Sequence, residues 1–167
     1  EDYIKENLLE KLTNPVIMTV DLGFAKKGRN YAEGLNMPIA FIEKRRVAND
    51  SNAEALSIIG DVNGRDVIIV DDEVVTGGTI AHAIKFAREK GARDVYLAFV
   101  HPVFSSNAAK RLSSLDLKEI IITDTVPIPD ASRALFGDRL TICTVAPLLA
   151  EVILRAHEGR SVGELFD

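Results

Sequence analysis

Short apolar runs that are hydrophobic on both faces recur along the chain, each separated from the next by turn residues or a stretch of helical spacing. Pro15 to Val20 (PVIMTV), Pro38 to Ile42, Asp66 to Val70, Val95 to Val100, Glu119 to Thr123 and Leu140 to Val145 read as strands. Gly28 to Leu35, Ile80 to Lys90, Asn107 to Leu115 and Ala146 to His157 read as helices, the second and fourth closed by Gly91 and Gly159. A strand facing water on one side alternates polar with apolar residues, whereas these do not, so both faces of their sheet must be covered. The pattern predicts an α/β fold: a doubly wound, mainly parallel sheet with helices on both faces. In such a sheet ligands sit beyond the carboxyl ends of the strands. Function is therefore sought in the residues that follow each apolar run.

Those residues are charged or rich in hydroxyls. Asp21-Leu22-Gly23-Phe24-Ala25-Lys26-Lys27 follows the first run and Glu43-Lys44-Arg45-Arg46 the second. Asp71-Asp72-Glu73 and then Val74-Val75-Thr76-Gly77-Gly78-Thr79 follow the third, and Asp124-Thr125-Val126-Pro127 follows the fifth. A basic triplet such as Lys44-Arg45-Arg46 is ordinarily a solvated surface run; its place at a strand end favours a ligand. The stretch from Glu43 to Ser51 has no clear period and reads as a long loop, of the kind that is functional or disordered in a compact domain.

Thr76-Gly77-Gly78-Thr79 leads into a helix, where unsatisfied backbone N–H groups and the helix dipole favour a phosphate. The adjacent acids would repel that phosphate, so sugar hydroxyls or a hydrated Mg²⁺ are their fitting partners. A phosphate at one end and a diol at the other describe a pentose phosphate.

Composition narrows the alternatives. The chain has 167 residues, 47% of them hydrophobic and 27% charged, enough for one globular domain. Its net charge of -5 argues against general binding of nucleic acid, which needs a basic footprint. The lone Cys143 cannot close an internal disulfide, and neither a Cys pair nor a Cys/His cluster suggests zinc. With no apolar run of membrane-spanning length, a cytoplasmic setting without membrane partners is expected. His82 and His157 read as structural, while His101 stands at a strand end and can line the site. The chain begins at Glu1, and Tyr3 to Leu12 has helical apolar spacing with nothing before it to pack on. A domain of residues 1–167 cut from a longer two-domain chain is the expectation.

The stretch VIIVDDEVVTGGT resembles the signature loop of the type I phosphoribosyltransferase superfamily. Together with FIEKRR and the terminal TVAPLLAEVILRAHEGRSVGELF, the whole chain is similar to the carboxyl-terminal half of the ribose-phosphate diphosphokinase family, the phosphoribosyl pyrophosphate synthetases. The resemblance implies transfer of diphosphate from ATP to ribose 5-phosphate, giving phosphoribosyl pyrophosphate and AMP, with Mg²⁺ as cofactor. It implies Lys44 and Arg46 as catalytic cations, and Asp71, Asp72, Thr76, Gly77, Gly78 and Thr79 as the ribose 5-phosphate site. Gly23, Lys26 and Lys27 would hold ATP phosphates, and Asp21 the metal. The family also implies homo-oligomers, with an amino-terminal half completing the adenine pocket.

Two residues depart from the family pattern. Val75 stands where an aspartate is usual, which removes a hydroxyl or metal contact; Phe24 stands where a second glycine is usual, in a loop that approaches phosphate. Two other readings stay open at this point. One is a phosphoribosyltransferase that consumes phosphoribosyl pyrophosphate, and the other a non-catalytic regulatory homologue that binds a sugar phosphate.

Overall fold

The computed structural model describes residues 1–20, 23–46, 54–105 and 107–166, with 44–46 and 54–56 as backbone. Seven strands form one sheet in the order β3-β2-β1-β4-β5-β6-β7. They are β1 (Val16–Thr19), β2 (Ile39–Arg46), β3 (Glu54–Ile59), β4 (Asp66–Glu73), β5 (Asp94–His101), β6 (Glu119–Thr123) and β7 (Leu140–Cys143). Among the described residues only the β2–β3 pair is antiparallel. The helices are α1 (Ala25–Gly34), α2 (Gly78–Glu89), α3 (Ala108–Ser113), α4 (Asp130–Phe136) and α5 (Ala146–Glu158). The doubly wound, mainly parallel sheet is thus as the apolar runs predict.

Period-two alternation sorts the strand residues into two cores. Val16, Met18, Val67, Ile69, Val95, Leu97 and Phe99 pack with Ile80, Ile84 and Leu112 of α2 and α3. Ile17, Ile68, Val70, Tyr96 and Ile121 face the opposite way and pack with Phe24, Ala32 and Leu35 at α1. On that side α1 lies hard against β1, since a Cβ on Gly28 would come within 2.2 Å of Thr19 Cγ2. Any side chain at Gly28 would force Thr19 or the helix itself to shift.

One expectation is corrected here. The stretch from Glu43 onward is not a loop at its start: residues 43–46 continue β2 and pair with Ser57, Leu56, Ala55 and Glu54 of β3. Charged side chains hid this arm, but antiparallel ladder bonds are made by backbone and do not exclude them. Residues 47–53 lie outside the described residues. The amino-terminal segment packs on elements that follow it: its π-helical turn Ile4–Leu8 buries Ile4 and Leu8 in the α1-side core. Tyr3 Oη also donates to Glu119 Oε1 at 2.5 Å, where Thr141 Oγ1 donates as well. The tract after Thr123 also contains α4, anchored by Phe136, which is 2% exposed and whose ring centre lies 5.8 Å from that of Phe104.

The last helix behaves differently from the others. None of the thirteen residues of α5 is buried, and Leu148, Leu149 and Ile153 are 44%, 54% and 69% exposed. Its end is nonetheless ordered, because Arg155 bonds Glu151, the Ser161 carbonyl and Glu164. Among the described residues no helix is long and apolar enough to cross a membrane.

Candidate active site

The order of the sheet fixes where a ligand can enter. The chain runs from β1 to β2 on one side and later places β4 on the other side of β1, so the winding direction reverses between β1 and β4. Loops leaving neighbouring strands in opposite directions open a crevice at that reversal, the usual ligand position in open α/β sheets. Two of the loops singled out by sequence leave from there, the one after β1 and the one after β4.

The acids do not follow β4 but form its last three residues. Alternation then parts them. Asp71 and Glu73 share the α2 face with Val67 and Ile69, while Asp72 shares the α1 face with Ile68 and Val70. Accordingly Asp71 and Glu73 line a cavity of about 190 Å³ together with Val20 and the turn from Val74 to Ile80. Asp72 turns instead to α1, where Lys27 Nζ lies 3.1 Å from its Oδ2. Burial pushes the Asp72 carboxyl up. The Lys27 hydrogen bond and charge, with the Glu73 amide 2.9 Å from Oδ1, outweigh this and hold it below the ordinary carboxylate range. Asp72 is therefore ionised at neutral pH.

The turn that closes the cavity is bent through Gly77, whose φ of +68° is left-handed. A side chain there is strained, and a Cβ would also stand 3.3 Å from Leu112 Cγ. Gly78 opens α2, so the first-turn amides of a twelve-residue helix stand beside the cavity. Thr76 Oγ1 takes a long hydrogen bond from the Gly78 amide, 3.4 Å.

The remaining sequence-predicted residues fall as follows. Gly23 and Lys26 are exposed at the start of α1, and Lys27 is joined to Asp72, so the structure brings the β1 loop and the β4 end together. Phe24 is buried in the α1-side core, 7% exposed, with Lys27 Nζ 5.3 Å from its ring centre. The Phe24 side chain thus serves packing rather than occupying the crevice. Val75 is 39% exposed on the cavity wall. Lys44 and Arg46 sit on the far end of β2, opposite Leu56 and Glu54 of β3. Asp21 lies outside the described residues.

Sequence reasoning missed Glu73 as a wall of the cavity, although strand parity carried to the end of β4 would have found it. His101, exposed at the end of β5, shares a 2.9 Å hydrogen bond between Nδ1 and Thr125 Oγ1. Asp124 is committed to structure: Oδ1 accepts the Val145 amide at 2.9 Å, and the Thr144 hydroxyl and that amide hold its carboxyl below the usual range. No group of three or more metal-ligating side chains occurs among the described residues. Mg²⁺ does not need one, since it is commonly held by one or two carboxylates with water and substrate oxygens. Asp71 on the cavity wall, or the ionised Asp72 on the other face of the strand, fits that chemistry as a single carboxylate.

Comparison with known proteins agrees with this geometry. The model of the phosphoribosyl synthetase-associated domain family matches residues 46–167. The ribose-phosphate pyrophosphokinase of Nostoc sp. is 43% identical over 166 residues, covering 99% of this chain and 48% of the relative. That of Caldanaerobacter subterraneus is 42% identical over 151 residues, covering 90% and 46%. The chain thus spans about half the length of the curated relatives it matches. Phosphoribosylpyrophosphate synthetase from Mycobacterium smegmatis superposes with a TM-score of 0.84 at 36% identity, over 95% of this chain and 49% of that one. Orotate phosphoribosyltransferase from Aeropyrum pernix, at 0.52 and 19% identity over 82% and 64%, shares the fold alone. The chain belongs to the phosphoribosyl synthetase-associated domain family and has the type I phosphoribosyltransferase-like fold.

Proposed function

We propose that this chain supplies the ribose 5-phosphate site and the ATP-phosphate loops of a ribose-phosphate diphosphokinase. The observation that carries the proposal is the cavity at the β1/β4 reversal, with helix-start amides and hydroxyls of Thr76–Thr79 on one wall and the carboxylates of Asp71 and Glu73 on another. The 5-phosphate sits at the amide wall, stabilised by the helix dipole and unsatisfied donors. Asp71 faces the ribose hydroxyls from the cavity wall, while Asp72, on the other face of β4 beside Lys27, meets the substrate from the side of the β1 loop.

The 1-hydroxyl of the ribose attacks the β-phosphorus of ATP. The bond from that phosphorus to the oxygen of AMP breaks, and the hydroxyl proton is released. Gly23, Lys26 and Lys27 hold the ATP phosphates, and Lys44 and Arg46 oppose the charge that develops on the transferring diphosphoryl group. Mg²⁺, with Asp21 as its proposed protein ligand, supplies further charge neutralisation on phosphate oxygens.

The whole activity belongs to a larger body. The curated relatives are about twice as long as the part matched here, and the exposed apolar face of α5 suits burial against a further domain or a second copy. We therefore read residues 1–167 as one phosphoribosyltransferase-like domain of a two-domain enzyme that associates as a homo-oligomer. The cytoplasm, where ATP is available, is its proposed setting.

Titration calorimetry of the chain with ribose 5-phosphate and Mg²⁺ tests the site, and AMP release from ATP plus ribose 5-phosphate tests the reaction. Saturable binding, with AMP formed once the missing half of the relatives is supplied in trans, is the expected result. Pyrophosphate release from phosphoribosyl pyrophosphate plus a panel of nucleobases supports a phosphoribosyltransferase instead. Binding with neither turnover supports a regulatory homologue, in which Val75 has removed a needed contact.

A further inference from the structure

We infer that Arg111, on α3, is a positioning residue for the Thr76–Thr79 turn: by holding the Thr76 carbonyl, it aims the following amide at the cavity. The inference rests on the reading of that turn as the phosphate site and deepens it.

The turn does not shape itself. Its own side chains contribute only the long contact from Thr76 Oγ1 to the Gly78 amide. Its carbonyls, by contrast, are taken in succession by one segment that returns from β5 into α3. Phe104 N donates to Val74 O at 3.0 Å, and Ser105 N to Val75 O at 2.8 Å, with Ser105 Oγ on the same oxygen at 3.2 Å. Arg111 Nη1 then donates to Thr76 O, and the next residue, Leu112, packs against Gly77. Among the described residues, the cavity walls are Val20, Asp71 and Glu73–Ile80, and Phe104, Ser105 and Arg111 are not part of them. The backing segment lies behind the turn.

A trans peptide unit is planar, and its C=O and N–H point in opposite directions. Pinning the Thr76 carbonyl rearward to Arg111 therefore turns the Gly77 N–H forward. The same geometry relates Val75 O to the Thr76 N–H. A guanidinium donor also polarises the amide it binds, which makes the N–H on the far side a better donor to an anion. Arg111 is exposed and not part of either core, so its bond to the turn is separable from the stability of the domain. Gly77 cannot perform this role itself, because a left-handed glycine has free access to other conformations once the carbonyl is released.

The test compares the chain with Arg111→Met, which keeps the bulk and loses every donor, and Arg111→Lys, which keeps the charge without the fork. Two readouts are taken: hydrogen exchange of the amides of residues 76–80 in the ligand-free chain, and calorimetric affinity for ribose 5-phosphate against ribose with Mg²⁺ present. Arg111→Met is expected to keep the melting temperature, to speed exchange at Gly77 and Gly78, and to weaken ribose 5-phosphate by roughly tenfold, the scale of one hydrogen bond to a charged group. Ribose affinity stays the same, and Arg111→Lys recovers part of both losses. Unchanged exchange overturns the inference whatever the affinity does, because lost affinity alone would mean that Arg111 touches the ligand. Faster exchange in a chain whose parent binds no ribose 5-phosphate leaves Arg111 as the support of the turn and overturns its assignment to phosphate binding.

Discussion

Lys27 Nζ on the first turn of α1 lies 3.1 Å from Asp72 Oδ2 at the end of β4, joining the two loops that flank the reversal of the sheet. Both groups are about half exposed, at 62% and 47%, so the pair contributes little to stability, within about 1 kcal/mol. Its effect is on the state and aim of the Asp72 carboxylate. The same cation stands beside the Phe24 ring, which anchors the loop start in the core.

Removing Lys27 changes the acid limb of sugar-phosphate binding. Asp72 titrates below its ordinary range because Lys27 outweighs burial, so in Lys27→Ala its pKa rises. A carboxylate with the higher pKa is neutralised earlier as pH falls. Calorimetric affinity for ribose 5-phosphate with Mg²⁺ should therefore begin to fail at a higher pH in Lys27→Ala than in the parent chain. The second ionisation of the sugar phosphate affects both proteins alike and drops out of the difference. Asp72→Asn should weaken binding by about tenfold at neutral pH, the loss of one charge-assisted contact, and the gap to the parent should close in acid as the parent's own carboxylate is neutralised. Superimposable curves for all three proteins would remove Asp72 from the site.

Gly77→Ala combines two faults, a side chain at φ +68° and a Cβ 3.3 Å from Leu112 Cγ. The left-handed strain costs roughly 1–2 kcal/mol, which lowers the melting temperature of a domain this size by about 2–8 °C. Ribose 5-phosphate binding should be lost even at temperatures where the variant is folded. Scanning calorimetry and titration on the same sample separate the two effects, and a variant that melts lower yet binds normally speaks against the turn.

Much of the fold was legible because β1, β4, β5 and β6 are buried on both faces and carry that demand in unbroken apolar runs. The hairpin arm of β2 and its partner β3 were not, since a ladder of backbone bonds leaves no mark on the charged side chains of residues 43–46. The turn of Thr76–Thr79 could be read from Gly-Gly and hydroxyls set before helical spacing. Its support by Phe104, Ser105 and Arg111 could not, because those contacts join residues about thirty positions apart and rest largely on main-chain atoms. That Asp71 and Asp72 lie on opposite faces was not legible either, because the strand had not yet ended where the acids begin, and neighbours on a strand face opposite ways.

At the opposite rim, Arg93 Nε donates to Asp66 Oδ1 at 2.7 Å and Nη2 to Oδ2, while the Thr13 amide donates to Oδ2 at 2.7 Å. The Asp66 side chain is fully buried. Burial raises its pKa, but Arg93 and the Thr13 amide more than offset this and leave it lowered. A carboxylate depressed in the fold contributes stability above its unfolded pKa, and that contribution is lost as pH falls through the folded value. Acid unfolding should thus lose a component below about pH 4, the ordinary Asp range, in Asp66→Asn relative to the parent. Asp66→Ala should cost about 2–4 kcal/mol by chemical denaturation at neutral pH, because Arg93 and the Thr13 amide lose their partner. A cost under about 0.5 kcal/mol, the scale of an ordinary surface substitution, would show that the cluster is dispensable.

Lys44→Ala and Arg46→Ala address transition-state charge. In the assembly that forms AMP, each should lower turnover by about 10²–10³-fold, the scale of removing one preorganised charge-stabilising donor. Affinity for ribose 5-phosphate should change little, since an interaction made only in the transition state leaves ground-state binding alone. A rise in KM for ribose 5-phosphate with unchanged kcat would reassign both residues to substrate binding.

The most direct measurement is a crystal of this chain soaked with ribose 5-phosphate and magnesium chloride. The expected electron density has the phosphate against the amides and hydroxyls of Thr76–Thr79, at the start of α2, with the ribose ring directed to Asp71. Sugar phosphate bound at any other part of the sheet rim, with that turn left untouched, would contradict the assignment on which the proposed chemistry depends.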